Sequence, residues 1–535
     1  MKQHAVFLGL LLIVCANGFA QVSPERLVNS SAEPQNWLTY SGRYSSWRYS
    51  SLDQIKTTNV SQLSLQWAFQ SAELGQFETT PLAVDGVLYA TGPNDRAFAI
   101  DARTGRAIWR YQRVLPPKVI ACCGMVNRGF AILGNRLFMA TLDAHVIALD
   151  TKTGNVVWDV IAADYRQGYS FTVAPLVVKN AVIVGVAGGE YGIRGFVDAY
   201  DANTGARLWR FDTVPGPGQP GHDTWSGDSW KTGGAPAWIT GSYDPQLNLI
   251  YWPTGNPSPS NYGGDRLGDN LYSNSMLALD ADTGKLKWHF QFTPHDLFDY
   301  DSTQIPVLVD ADWQGKPRKL LVHANRNGFL YVLDRTNGKF LSANGFGTVT
   351  WAKGISEDGR PQLNPDAIPG AKGVRVCPSA IGLTNWFSPS YSPDTGLLYV
   401  TTTNQCDLFT GAPQQYRAGH DFIGSIYVPD PVERPTGAIK AVDPLNGKQA
   451  WEFPYFSNPN GGVLSTAGGL VFGGDSDGNL IAIDAKAGRD LWHIQLGAGI
   501  YTTAITYQFE GRQYVVIPAG TTLFAFSLPE KSTSN

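Results

Sequence analysis

The chain carries little charge for its length: Lys, Arg, Asp and Glu make up 16% of its 535 residues and leave a formal net charge of −4. No basic cluster occurs, so the electrostatic footprint of a nucleic-acid binder is missing. No apolar run beyond the N-terminus reaches the roughly 18 residues that a membrane span requires, so no stable membrane insertion is expected. Cysteine is scarce, and none stands in a C-x-x-C-H motif, so a built-in c-type haem is not indicated. Glycine (58), tyrosine (23) and tryptophan (16) are plentiful instead, a composition that suits short strands, tight turns and aromatic packing rather than long helices.

The N-terminus reads as an export signal over residues 1–20. Lys2 and His4 precede an apolar run from Ala5 to Val14, and Gly18, Phe19 and Ala20 offer a small-residue cleavage site. The mature chain is then expected to start near Gln21 in an oxidising compartment, the periplasm. Four cysteines remain there, Cys122, Cys123, Cys377 and Cys406. Their even number suggests disulfides, with three pairings open.

An apolar-x-Asp turn followed by Gly and Trp recurs along the chain, as AIDARTGRAIW, ALDTKTGNVVW, AYDANTGARLW, ALDADTGKLKW, AVDPLNGKQAW and AIDAKAGRDLW. Asp, Thr and Gly between two apolar strands describe a hairpin with positive-φ positions. The Trp after each turn is expected to point at a neighbouring unit. Trp109, Trp158 and Trp209 follow one another at about 50 residues, enough for one four-stranded sheet each. Later intervals lengthen, and Gly/Pro/Asn-rich stretches at 215–221, 255–270 and 351–373 read as insertion loops, because the repeat resumes after each. The expected fold is all-β: an eight-bladed β-propeller with tryptophan docking repeats and long insertion loops, one domain over residues 21–535.

Several motifs lie outside the repeats. ACCGMVNRG holds adjacent cysteines, whose Cα atoms about 3.8 Å apart fall below the usual disulfide range, so that a bridge would close a strained ring. GGAPAWITGSYDP places Trp238 outside the docking frame. Glu190 in AGGEYGIRG, Asn256 in TGNPSPS, and Asp299 and Asp301 in HDLFDYDSTQ are oxygen donors of the kind a hard cation takes. In a strand, positions 299 and 301 would face one side.

Together these motifs and the repeats resemble the quinoprotein alcohol dehydrogenases, the methanol dehydrogenase-like family of pyrroloquinoline quinone enzymes, over nearly the whole mature chain. The resemblance implies a bridge between Cys122 and Cys123 lying against one face of the quinone, with Trp238 stacked on the other. Arg128 would pair with a cofactor carboxylate, where a planar guanidinium suits bidentate contact. Glu78, Thr172, Ala187, Gly188, Gly189 and Asn404 match further positions near the cofactor, and Cys377–Cys406 matches a second disulfide that staples an insertion. Glu190, Asn256, Asp299 and Asp301 would hold the metal. In the family, Asp two places after the catalytic aspartate marks lanthanide enzymes, whereas calcium enzymes carry a small or uncharged residue there. An extra carboxylate also balances a trivalent ion better than a divalent one.

The implied chemistry is oxidation of a primary alcohol to the aldehyde. The ion polarises the quinone, Asp299 accepts the alcohol proton, hydride passes to the quinone, and Arg326 in HANRNGFLYVLD donates hydrogen bonds near the reacting oxygens. Electrons would leave to a periplasmic cytochrome c; a homodimer is compatible with the pattern. A calcium-dependent enzyme of the same chemistry and a non-catalytic scaffold propeller are the competing readings. Polar Asn458 and Asn460 stand where the family commonly has an aromatic residue at the cofactor entrance, which leaves the alcohol open.

Overall fold

In the repeated turn, Asp101 Oδ1 accepts hydrogen bonds from the backbone N–H and the hydroxyl of Thr104, at 2.8 and 2.7 Å. Gly105 follows at φ +71°, a conformation glycine adopts without steric penalty. The same Asp–Thr bonds recur at Asp150, Asp201 and Asp280. Each turn joins the third and fourth strands of an antiparallel sheet, with one extra residue in the fourth strand just after the turn.

This is a computed structural model, and it describes residues 22–432, 435–455 and 457–530; the expected signal peptide lies outside them. Among the described residues the chain is almost entirely strand, with one five-residue α-helix and short 3-10 turns. Seven four-stranded sheets and one five-stranded sheet follow each other in chain order. Sheets I to VII occupy 82–112, 131–161, 176–212, 242–291, 307–345, 390–454 and 464–495; sheet VIII joins Ser64–Gln70 to three C-terminal strands over 505–527. Smaller sheets of two and three strands lie in the insertions. The all-β expectation holds, and among the described residues no helix is long and apolar enough to cross a membrane.

Within a sheet, the second and third strands are buried along most of their length, as in Val87–Gly92 and in Arg96–Asp101 apart from its two ends, because neighbouring sheets cover both faces. The fourth strands alternate, and their buried position is the repeat tryptophan, as in Ala107–Gln112. The indole N–H of Trp109 donates to Thr151 O in the next sheet's turn at 2.9 Å. Trp158, Trp209, Trp288 and Trp451 do the same to Ala202, Ala281, Arg335 and Ala485. A Cβ on the turn glycine opposite would strike the indole, as at Gly154 against Trp109, which explains the glycine in the repeat beyond its backbone freedom. Trp67, which lacks the repeat frame, makes the equivalent bond from sheet VIII to Ala102 of sheet I at 3.2 Å. Trp492 has the frame, and its ring meets Phe526 of sheet VIII edge-on.

The segment 37–50, whose last two residues, Tyr49 and Ser50, form the fifth strand of sheet VII, laces the first strands of the sheets together. Trp37 exchanges two backbone hydrogen bonds with Ala83, and Tyr44, Ser45, Trp47, Arg48 and Ser50 carbonyls accept from Tyr243, Leu308, Tyr391, Ser465 and Ala467. Sheets I, IV, V, VI and VII are thereby tied to one strap.

Candidate active site

The connections that lead into the first strands of the sheets line one cavity of about 540 Å³. Glu78 comes from the approach to sheet I, Arg128 to II, Thr172 to III and Trp238 to IV. Asp299 and Asp301 precede sheet V, Trp386 sheet VI, Asn460 sheet VII and Tyr501 sheet VIII. Every sheet therefore delivers a side chain to the same place. Cys122, Cys123, Ala187, Gly188, Glu190 and Arg326 line it as well.

The disulfides Cys122–Cys123 and Cys377–Cys406 are both formed. The vicinal pair has Cα atoms 3.8 Å apart and puts both residues on the cavity wall. Cys377–Cys406 is buried and spans 29 residues, tying the connection between sheets V and VI to the insertion between the second and third strands of sheet VI.

Arg128 Nη2 meets Glu78 Oε2 at 2.7 Å, and the guanidinium lies over two indoles, 4.9 Å from the Trp238 ring and 4.5 Å from that of Trp386. Burial raises the Glu78 carboxyl above its usual range, and Arg128 pulls it back. Arg326 lines the same cavity. Its Nη1 donates to the Asp299 carbonyl at 2.7 Å and lies 3.7 Å from the Asp299 carboxylate, while Nη2 lies 3.4 Å from Asp301 Oδ2 and donates to Asn385 Oδ1 at 3.2 Å. Arg326 thus braces the Asp299 backbone as well as facing its carboxylate.

Asp301 is 3% exposed. Its Oδ1 accepts the Asn256 backbone N–H at 2.7 Å, and its Oδ2 accepts the Trp238 indole N–H at 3.2 Å. Gly255 must lack a side chain, because a Cβ there would run into Asp301 Oδ1. Burial, then Asp301, pushes Glu190 up to about 7. Burial also raises Asp299 well above the ordinary carboxylate range, against the pull of Arg326. Two half-buried acids that resist ionisation in one cavity describe a place where a cation would relieve repulsion.

Several expectations need correction. Asp299 and Asp301 lie in a loop, not a strand, and Asp299 adopts φ +61°; both carboxylates reach the cavity because the loop folds back, not by strand alternation. Asn404 does not line the cavity: it ends the strand Leu397–Asn404, pairs with Thr436 and is exposed. Gly189 turns away toward Pro236. Asn256, expected as a metal ligand, is wholly buried, and among the described residues its Oδ1 has no hydrogen-bond partner. Asn385, Trp386, Asp421 and Tyr427 line the cavity and were not expected there. For the first two a signal was available, since LTNWFSPS immediately precedes a first strand, as the Trp238 segment does.

Residues 37–343 and 432–515 match the family described as glucose/ethanol/alcohol dehydrogenase, beta-propeller domain. The chain is 41% identical over 537 residues to the quinoprotein alcohol dehydrogenase PedH of Pseudomonas putida, covering 95% of this chain and 90% of that protein. It is 38% identical over 523 residues to 1-butanol dehydrogenase (cytochrome c) of Thauera butanivorans, covering 92% of this chain and 75% of that one. A solved europium-containing methanol dehydrogenase superposes with a TM-score of 0.90 at 36% identity, over 94% of this chain and all of that one (100%). With these relatives, and with a vicinal disulfide, an indole and clustered carboxylates around one cavity, the chain belongs to the family of pyrroloquinoline quinone-dependent alcohol dehydrogenases.

Proposed function

We propose that this protein is an eight-bladed, tryptophan-docked propeller that oxidises a primary alcohol to the aldehyde in the periplasm, with pyrroloquinoline quinone and one lanthanide ion, and passes electrons to a cytochrome c. The observation that carries the reading is Asp301, a buried carboxylate shared between Asn256, Trp238 and Arg326 and set beside Asp299 and Glu190. The docking bonds and the shared cavity support eight blades. Two disulfides and the apolar leader favour an oxidising compartment.

The residues fit both groups. The Asn256 Oδ1 is a buried acceptor with nothing to accept, as a cation ligand would be. Among the described residues, no group of three or more His, Cys, Asp or Glu side chains can hold a metal unaided, so a cation here needs the amide oxygen and cofactor oxygens in addition. Cys122–Cys123, Trp238 and the Arg128–Glu78 pair form walls suited to a flat, anionic aromatic molecule. Bound there, the quinone would take up hydride from the alcohol while the cation polarised its carbonyl.

The protein's own groups do the rest. Asp299 accepts the alcohol proton on its carboxylate, Arg326 supplies donors fixed by Ala380 and Asn385, and Phe387 and Ile381 help exclude water. The lanthanide reading rests on the charge of Asp301 and on likeness to the europium-containing relative; the acceptor reading rests on likeness to the cytochrome c-linked butanol enzyme. Reconstitution of the cofactor-free chain with quinone plus lanthanum or calcium, assayed on primary alcohols with an artificial acceptor, tests the proposal. Lanthanum-dependent turnover is expected; activity with calcium alone, or no quinone binding under any metal, would overturn it.

A further inference from the structure

The insertion at 254–274, between the second and third strands of sheet IV, contains a guanidinium that the chemistry above does not use. Arg266 is fully buried, and its donors go mostly to backbone carbonyls. Nε and Nη2 donate to Pro259 O at 3.1 and 2.9 Å, and Nη2 also reaches Ser260 O at 3.4 Å. The same Nη2 donates to Asp296 O, while Nη1 donates to Asn270 Oδ1 at 2.8 Å. A buried cation with no carboxylate bonded to it is costly, so it persists only where its hydrogen bonds are well satisfied.

Both segments that Arg266 joins run into the active site. Pro259 and Ser260 follow Asn256, and Ser260 lines the cavity. Asp296 opens the loop that carries Asp299. Its side chain, 1% exposed, accepts the backbone N–H of Phe298 at 3.0 Å through Oδ1 and that of Tyr300 at 2.8 Å through Oδ2. Those two amides flank Asp299, whose φ of +61° is uncommon for a residue with a Cβ and survives only where the surroundings over-determine it. On the cavity side the same two segments meet again through Asp301 Oδ1 and Asn256 N.

We infer that Arg266 and Asp296 form a clamp that positions the reacting carboxylate: Arg266 locks the Asn256 segment against the Asp299 segment, and Asp296 pins the backbone on either side of Asp299. They are positioning residues, and touch neither substrate nor cofactor. The inference rests on Asp299 being the proton acceptor.

Two kinds of measurement test it. In the unmutated full chain, hydrogen exchange should find the Phe298 and Tyr300 amides protected although they lie outside any strand, and Asp296→Asn should remove much of that protection. In chains loaded with quinone and europium, second-sphere changes of this sort typically cost 10–100-fold in metal affinity or activity. We expect Asp296→Asn to lower kcat about tenfold or more with the alcohol KM within about twofold. Arg266→Met should weaken europium binding, read by luminescence titration, by about tenfold, with partial recovery in Arg266→Lys. Fast exchange at both amides in the unmutated chain, or wild-type kcat in Asp296→Asn together with wild-type europium affinity in Arg266→Met, would overturn the clamp. An unmutated chain that binds no quinone would instead sink the proposed function, and the exchange result would still decide the clamp.

Discussion

Replacing Asp301 perturbs charge and hydrogen bonding together, and the structure allows the two to be separated. Asp301→Ala leaves the Asn256 N–H and the Trp238 indole N–H without their acceptor. Each orphaned buried donor costs about 1–3 kcal/mol, so a loss of roughly 3 kcal/mol in stability is expected whichever metal is present. Asp301→Asn keeps an oxygen for Asn256 and the same shape, loses the acceptor for the Trp238 indole N–H, and removes the charge. At an effective dielectric of ~20, one carboxylate about 4 Å from a cation gains roughly 4 kcal/mol per unit of cation charge, before solvation is set against it. The third charge of a lanthanide is where the two metals differ, and a surviving net advantage of about 1.4–3 kcal/mol corresponds to about ten- to a hundredfold in relative affinity. The assay is competition between lanthanum and calcium during reconstitution, scored by turnover of a primary alcohol with an artificial acceptor. Asp301→Asn should shift the balance toward calcium by that factor. If Asp301→Asn kept the wild-type preference, the charge-balance argument would be refuted; if it weakened both metals equally, Asp301 would matter only as a hydrogen-bond acceptor.

Arg128→Met leaves Glu78 without its ion-pair partner and takes the guanidinium away from two indoles. Breaking a buried pair costs about 3–5 kcal/mol, which Glu78 escapes in part by staying protonated, as its raised pKa favours. Quinone affinity, followed by absorbance titration, should fall more than about tenfold; unchanged binding would remove Arg128 from the site. Asp95 is a buried carboxyl between sheets I and II, accepting from Leu142 N at 2.6 Å and Asn127 Nδ2 at 3.1 Å, with its pKa pushed to about 7 by burial. Because the folded chain holds this proton more tightly than the unfolded one, its contribution is fully present below about pH 4, is lost as pH rises to about 7, and is level above. At most about 4 kcal/mol separates the two limits. Unfolding by denaturant at pH 4 and pH 8 should therefore show Asp95→Asn gaining on the wild type as pH rises; parallel profiles would contradict the shift.

The repeat was legible because one turn solves the same problem many times. Asp accepts from Thr, glycine takes the positive φ and leaves room for an indole, and the indole N–H finds the next turn's carbonyl. Motif residues with that degree of constraint also marked the cavity, and Glu190, Trp238, Asp299, Asp301 and Arg326 all line it. Where a residue's part depends on where a strand stops, the sequence was less informative. Asn385 and Asn404 each follow a threonine in a polar stretch, but one lies in the approach to sheet VI and the other is spent on pairing with Thr436. Trp67 docks without the repeat frame because its partner strands come from the far end of the chain. Arg266 sits in a glycine- and asparagine-rich insertion where surface placement is the ordinary expectation, and only the folded loops show it buried.

Sheet VIII has a consequence for how the molecule comes into being. Ser64–Gln70 is among the earliest strands in chain order, yet among the described residues its one partner in the sheet is Thr522–Ser527. The ring is fastened by a seam more than 450 residues apart in sequence, so loop closure of the largest kind must precede the final contacts. Until that seam zips, the strap at 37–50 has no complete circle to lace and Tyr501 is not delivered to the cavity. Because every sheet contributes to the cavity, removal of Thr522–Ser527 alone is expected to abolish activity rather than to loosen one edge, as an assay of the shortened chain would show.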